Sequence, residues 1–182
     1  MADAKKTVLV DTTFLITLAN PKYPNYANAN RYYKYMLANG IQLYLSAIVV
    51  AEYHQLASAA EWLASGNFIF LPFNVPDATH LSNVVHNLGS SARNDARKDA
   101  TSDGTAPPTA RAEFKDDLKL IAQAEKNKID YIITEDASTM AKQLKKLHAA
   151  GLTDVQAIVV ADGFDSSWFT GGQKSLLDSA GE

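Results

Sequence analysis

Val8, Leu9 and Val10 form an apolar run that ends on Asp11. A strand without polar alternation suits a sheet covered on both faces, as parallel sheets are. Comparable runs predict strands over 41–45, 67–73 (NFIFLPF), 131–134 and 156–161. Between them the apolar spacing lengthens to three and four residues, which predicts helices over 12–20, 25–38, 46–57, 76–88, 114–127 and 138–150. Asn20-Pro21, Asn39-Gly40 and Gly89 supply stops, and Ser46 and Pro76 supply starts. Strand alternating with helix predicts an α/β fold, a three-layer α/β/α sandwich on a mainly parallel central sheet.

Residues 90–112 (SSARNDARKDATSDGTAPPTARA) break the pattern. They hold almost no large apolar side chain and are expected to form a polar loop or insertion. The expected organisation is one domain over 1–162 carrying this insertion, and a tail over 163–182 that packs on the domain or extends it, anchored by Trp168 and Phe169. No internal repeat is visible.

Composition narrows the chemistry. The chain has 182 residues, 47% of them hydrophobic, enough for one sizeable core. It has no cysteine, which excludes disulfides, thiolate metal sites and a cysteine nucleophile. The amino-terminal MADAKKTVLVDTTFL has only a short apolar run, so no membrane span is expected and a cytoplasmic location is. Seventeen basic and 20 acidic residues give a formal charge of -3, so a nucleic-acid partner would need a local basic surface.

The acids are more informative. Asp11, Asp136 and Asp162 each follow a predicted strand closely, and ligands of open α/β sheets bind outside the carboxyl ends of the strands. An Asp there also starts turns and caps helices. In the 114–127 helix Asp117 falls within the apolar face of Phe114, Leu118, Leu120, Ile121 and Ala124, while Asp116 and Gln123 are expected to point away. Glu52 likewise shares a face with Ile48, Val49 and Leu56. A carboxylate on an apolar face is costly unless paired or bound to metal, and a salt bridge or a water-filled groove would also answer it. If Asp11, Glu52, Asp117 and Asp136 converge, each pair about 4 Å apart repels by roughly 4 kcal/mol at an effective dielectric near 20. Oxygen ligands alone suit Mg2+ or Mn2+, which activate water and stabilise the charge of phosphoryl transfer.

Four features resemble the PIN-domain nucleases, and among them the VapC-type toxins of toxin-antitoxin pairs. Three are the segments LVDTTFLI, LSAIVVAEYHQL and DLKLIAQAEKNKIDYIITED, and the fourth is their order and spacing. The resemblance spans about residues 6 to 161. It implies a PIN-like fold and a Mg2+- or Mn2+-dependent endoribonuclease. Asp11, Glu52, Asp117 and Asp136 match the family's metal-binding acids, Thr12 and Thr134 its nearby hydroxyls, and Asp116 would replace Asp117 if the register slipped by one. The resemblance also implies an RNA substrate, a small antitoxin inserted near the acidic groove, and a homodimer. The 90–112 stretch and the tail depart from the compact toxin pattern. Kept beside this reading are a catalytically inactive PIN-like RNA-binding or scaffold module, a PIN ribonuclease of RNA processing, and a receiver-type domain phosphorylated on Asp11.

Other residues weigh less. Arg93, Arg97, Lys98 and Arg111 can hold phosphates, although Asp95, Asp99 and Asp103 nearly neutralise them. Tyr23, Tyr26, Tyr32, Tyr33 and Tyr35, beside Arg31 and Lys34, suit base stacking, core packing or an interface equally well. Asp162 and Asp165 extend the acidic set only as an option. His54, His80, His86 and His148 lack ligand spacing and are assigned to packing or surface.

Overall fold

The computed structural model describes residues 5–87 and 108–170, except the side chains of 87 and 108–115. Five strands form one sheet: β1 (Thr7–Val10), β2 (Gln42–Ser46), β3 (Phe68–Leu71), β4 (Tyr131–Thr134) and β5 (Gln156–Val159). Their order is β3-β2-β1-β4-β5, and every pairing is parallel. Central β1 and β4 are the unbroken apolar runs; Val8, Leu9, Val10, Ile132 and Ile133 are fully buried. Burial on both faces removes any reason for polar alternation.

From β1 the chain steps outward to β2 and β3, then returns to the other side of β1 for β4 and β5. Right-handed crossovers therefore place the helices of the two halves on opposite faces. Helices α1 (Thr12–Ala19), α2 (Tyr26–Ala38) and α3 (Ala47–His54) cover one face, with α1 packed on the other two. Helices α5 (Val75–Asn87), α6 (Pro108–Lys126) and α7 (Met140–Ala149) cover the other, with α6 packed on both neighbours. This is the expected three-layer sandwich. The strand order reverses between β1 and β4, so a crevice opens at their carboxyl ends.

Several boundaries differ from expectation. Ser46 does cap α3, accepting from the Ile48 amide at 3.1 Å, but the helix ends at His54. The Tyr53 carbonyl takes the amides of both Leu56 and Ala57, leaving Leu56 70% exposed instead of on an inward face. A short α4 (Ala60–Ala64) follows that the pattern did not predict, its Trp62 lying among Tyr33, Tyr53 and Phe68. Helix α6 begins at Pro108, inside the stretch expected to be a loop; proline lacks the amide that a first helical turn leaves unused. The rest of that stretch, with Leu88 and Gly89, lies outside the described residues. Helix α7 starts at Met140 rather than 138 because the Asp136 side chain takes the Ser138 and Thr139 amides. Strand β3 stops at Leu71, and β5 gives way at Val160 to a single 3-10 turn, Val160–Asp162.

Beyond it, Phe164 and the short α8 (Ser167–Thr170) close over the sheet. Phe169 stacks on Tyr35 with ring centroids 5.7 Å apart, and Trp168 meets Tyr131 edge-on at 5.7 Å. The Tyr131 hydroxyl donates to the Trp168 carbonyl at 2.6 Å. No helix among the described residues is long and apolar enough to cross a membrane.

Candidate functional site: an acidic crevice

Asp11 sits where β1 ends, and its amide extends the sheet ladder by donating to the Ile133 carbonyl at 3.0 Å. Its buried Oδ2 accepts from the Thr13 hydroxyl at 2.6 Å and the Thr134 hydroxyl at 2.8 Å. The same hydroxyls accept backbone amides from the turn after β4: Thr13 from Glu135 at 3.0 Å, Thr134 from Asp136 at 2.9 Å. Two threonines thus tie the end of β1 to the Asp136 turn.

Asp136 is held in its charged form. Its Oδ1 accepts from the Ser138 amide at 2.8 Å, the Ser138 hydroxyl at 2.7 Å and the Thr139 amide at 2.9 Å, and its Oδ2 from the Thr139 hydroxyl. Burial pushes its pKa up, but these hydrogen bonds together outweigh it and hold the carboxyl below the usual range. Glu52 reaches in from α3 and accepts from the Thr12 hydroxyl. Burial raises its pKa, the charges of Asp116 and Asp11 raise it further, and Thr12 and Lys119 oppose without cancelling them.

Asp117 of α6 pays most for its position, its carboxyl pushed up to about 8. Burial is the largest cause; the charges of Asp11, Asp136 and Glu52 add to it, and a Thr139 hydrogen bond opposes. Gln143 of α7 donates Nε2–H to Asp117 Oδ2 at 3.2 Å. The Gln143 Oε1 is buried and has no hydrogen-bond partner.

Two expectations for α6 fail. Asp116 does not point away from the site: its charge acts on Glu52, more strongly than that of Asp11, while Lys119 Nζ holds its Oδ1 at 2.5 Å. Gln123 is fully buried and donates to the Pro72 carbonyl at 2.9 Å. The reason is packing on two sides. Leu118 and the whole run Leu120, Ile121, Ala122, Gln123 and Ala124 are buried, so α6 has no single inward face.

Asp11, Glu52 and Asp136 therefore lie within charge range of Asp117, and Asp11 within that of Glu52, with Thr12 on Glu52 and Thr134 on Asp11. Among the described residues, no three acids or imidazoles surround one point at ligand distance; each carboxylate rests on a hydroxyl or amide of its own. In chemistry the donor set fits a hard divalent cation. It offers carboxylate, hydroxyl and amide oxygen, and burial together with the neighbouring acids lifts Asp117 to about 8, a cost that a bound cation would relieve. Glu135, whose amide Thr13 holds, accepts from Asn25 Nδ2, and its Oε2 is buried without a partner. Thr13 on Asp11 and Gln143 on Asp117 are neighbours that sequence reasoning missed. For Gln143 the signal was present, because it falls on the apolar stripe of Met140, Leu144 and Leu147.

The remaining candidates stand elsewhere. Arg93, Arg97 and Lys98 lie outside the described residues, and Arg111 falls in α6 with its side chain outside them. Tyr32 is buried, its hydroxyl donating to the Gly163 carbonyl at 3.0 Å, and Tyr33 stacks on Phe68. Arg31 lies over the Phe164 ring at 4.6 Å. Most of the tyrosine cluster thus serves packing. Asp162 and Asp165 are exposed beyond β5. His80 pairs with Glu125 at 3.0 Å, and His148 Nδ1 lies 3.0 Å from the Thr153 carbonyl oxygen.

No family model and no curated protein matches the chain. Among solved structures it is similar to VapC20 of Mycobacterium tuberculosis, described as a sarcin-ricin loop cleaving toxin. That alignment has 17% identity and a TM-score of 0.48 over 82% of this chain and 98% of the other. It is also similar to VapBC2 of Rickettsia felis, solved on a DNA fragment of its promoter. Here the identity is 13% and the TM-score 0.45, over 83% and 98% of the two chains.

Proposed function

We propose that this protein is a metal-dependent endoribonuclease that hydrolyses RNA phosphodiester bonds, with Mg2+ or Mn2+ held by Asp11, Glu52, Asp117 and Asp136. One observation carries the reading. Four carboxylates from the end of β1, α3, α6 and the β4 turn share a crevice at the switch point of the sheet, where burial and then the charges of the other three lift Asp117 to about 8. A merely structural buried acid would be matched by a cationic side chain rather than set among three further acids.

When bound, a divalent cation supplies Lewis acidity, acidifying water and offsetting the charge that grows on the phosphodiester. The chain supplies position. Thr13 and Thr134 fix the Asp11 carboxylate, Thr12 fixes Glu52, and the Asp136 turn keeps its acid ionised. Asp117, at about 8, keeps its proton in the free protein at neutral pH and would release it in order to hold a cation. The resemblance of the sequence segments supports assignment as the toxin of a VapC-type pair, with a small antitoxin inserted near the acidic groove and a homodimer, and the cytoplasmic location is kept as the expectation from the short apolar runs.

The test is cleavage of a panel of structured and single-stranded RNAs with Mn2+, with Mg2+ and with chelator. Asp11→Asn and Asp117→Asn run beside the wild type. Loss of a metal ligand is expected to lower the rate by more than the ~10–100-fold typical of outer-shell partners. Chelator should do the same. Metal-dependent cleavage that survives both substitutions would remove these residues from the site. Folded, metal-loaded protein that cuts none of the panel would leave an RNA-binding module without catalysis.

A further inference from the structure

The acidic crevice explains how a phosphodiester is attacked but not how a polyanion is retained by a protein of formal charge -3. The arginines that the sequence offered lie outside the described side chains, and the tyrosines are largely packed. A different surface has the required chemistry. A groove of about 730 Å³ runs along α7, β5 and α8, and its lining includes Ser138, Lys142, Lys145, His148, Gln156 and Trp168. Ser138 is also the residue whose amide and hydroxyl hold Asp136, so the groove starts at the candidate site.

We propose that this groove is the track of a single-stranded RNA substrate, with Lys142, Lys145 and His148 along its phosphates and Trp168 against a base. The proposal rests on the nuclease reading and names the substrate path for that site. Three features support the occupant. Helix α7 carries three lysines and a histidine and no acid. Lys142, Lys145 and His148 recur every third residue and share one side of α7, while Gln143 reaches Asp117 from another. Against them the groove wall presents, among the described residues, one acid, Asp162. Such a surface attracts phosphates locally despite the net charge.

Trp168 argues for a single strand. Its indole meets Tyr131 edge-on and remains partly exposed in the groove. Aromatic rings stack on the faces of unpaired bases, and those faces are already occupied in a duplex. The groove also borders β5, an outer strand of the sheet, where no further strand among the described residues narrows it.

The experiment uses the full chain carrying Asp11→Asn, so that RNA is bound but not cut. Fluorescence anisotropy measures its affinity for a labelled single-stranded RNA and for the same sequence as a duplex, across a range of salt. Lys142→Glu with Lys145→Glu is expected to weaken single-strand binding at least ~10-fold. The slope of log affinity against log salt should fall by about 0.7 for each phosphate no longer neutralised. Lys145→Glu alone should give part of both effects, and it serves if the double variant folds poorly by circular dichroism. Lys34→Glu, exposed on α2, is the charge control and should shift affinity less than twofold. The proposal is overturned if the groove variants bind like the control, if the control loses as much as they do, or if duplex binds as tightly as single strand. With Asp11 intact, cleavage unaffected by the groove variants would sink the track and leave the nuclease standing. Groove-dependent binding without metal-dependent cleavage would do the reverse.

Discussion

Asp130 and Asp117 are partly buried carboxylates at opposite ends of the sheet, and the protein treats them in opposite ways. Asp130, just before β4, accepts from Lys6 Nζ at 3.0 Å, from the Thr7 amide at 2.9 Å and from the Thr7 hydroxyl at 2.7 Å. Burial pushes its pKa up, but the bonds from Thr7 and Lys6 outweigh it, and the carboxyl lies below its ordinary value. Lys6 is raised in turn, chiefly by that hydrogen bond to Asp130. At the other end Asp117 is buried beside three like charges, which the amide of Gln143 and a hydrogen bond with Thr139 do not offset, and it is lifted to about 8. Burial acts the same way on both. The neighbours decide the sign. The closed end pins β1 to β4; the open end leaves charge unbalanced where a ligand can balance it.

The largest expected effect lies in how stability depends on pH. The folded pKa of Asp117, about 8, exceeds its ordinary value of 3.8. Between roughly those values the unfolded chain is ionised while the folded one keeps its proton, so stability falls as pH rises through that window. Asp130 has the opposite sign: its contribution is present above the ordinary value and is lost as pH falls through the lower folded value. Asp117→Asn should flatten the fall between about pH 4 and 8 and raise the metal-free Tm near pH 8, at about 2–4 °C for each kcal/mol relieved. Urea unfolding at a series of pH values checks this. A wild-type profile that is flat over that range would erase the contrast between the two ends.

Asp130→Ala is expected to do the converse. It strips the Thr7 amide and Lys6 of their acceptor and should cost about 1 kcal/mol, because both partners are only half-buried and water replaces part of what they lose. Metal-dependent cleavage by the folded fraction should be unchanged. If cleavage fell with stability intact, Asp130 would belong to function and the division of labour would be wrong.

The smallest effect isolates Gln143. Gln143→Leu removes the donor to Asp117 together with a buried carbonyl oxygen that has no partner. Mn2+ affinity, measured by titration calorimetry, should drop about 10-fold, as for other groups that orient a metal ligand. The metal-free Tm should hold or rise, because the unsatisfied oxygen is gone. A fall in Tm with Mn2+ affinity unchanged would make Gln143 a packing residue.

Much of this molecule was legible before folding. The apolar runs of β1 and β4 announced a sheet covered on both sides, and the parallel sandwich follows from strand alternating with helix. Asp11 and Asp136 were visible as acids ending strands, Glu52 and Asp117 as charges among apolar neighbours. Less was legible where two surfaces compete for one helix. Asp116 and Gln123 were assigned to solvent from the phase of a single face, but α6 is enclosed by α5, α7 and the sheet, and both side chains are engaged. Glu52 was grouped with Leu56, yet α3 ends before Leu56 because the chain turns to place Trp62 among Tyr33, Tyr53 and Phe68.

The sequence by itself determined the local terms: which segments bury both faces, where helices begin and end to within a few residues, and which acids stand in apolar company. Each depends on neighbours within a turn or two of chain. Only the tertiary structure decided that the reversal of strand order would lie between Asp11 and Asp136, that Gln143 would meet Asp117 across 26 positions, and that Asp130 would find Lys6 and Thr7 while Asp117 found other acids. The sign of a charge's contribution depends on what surrounds it in space. Those neighbours come from distant segments whose meeting no local pattern records.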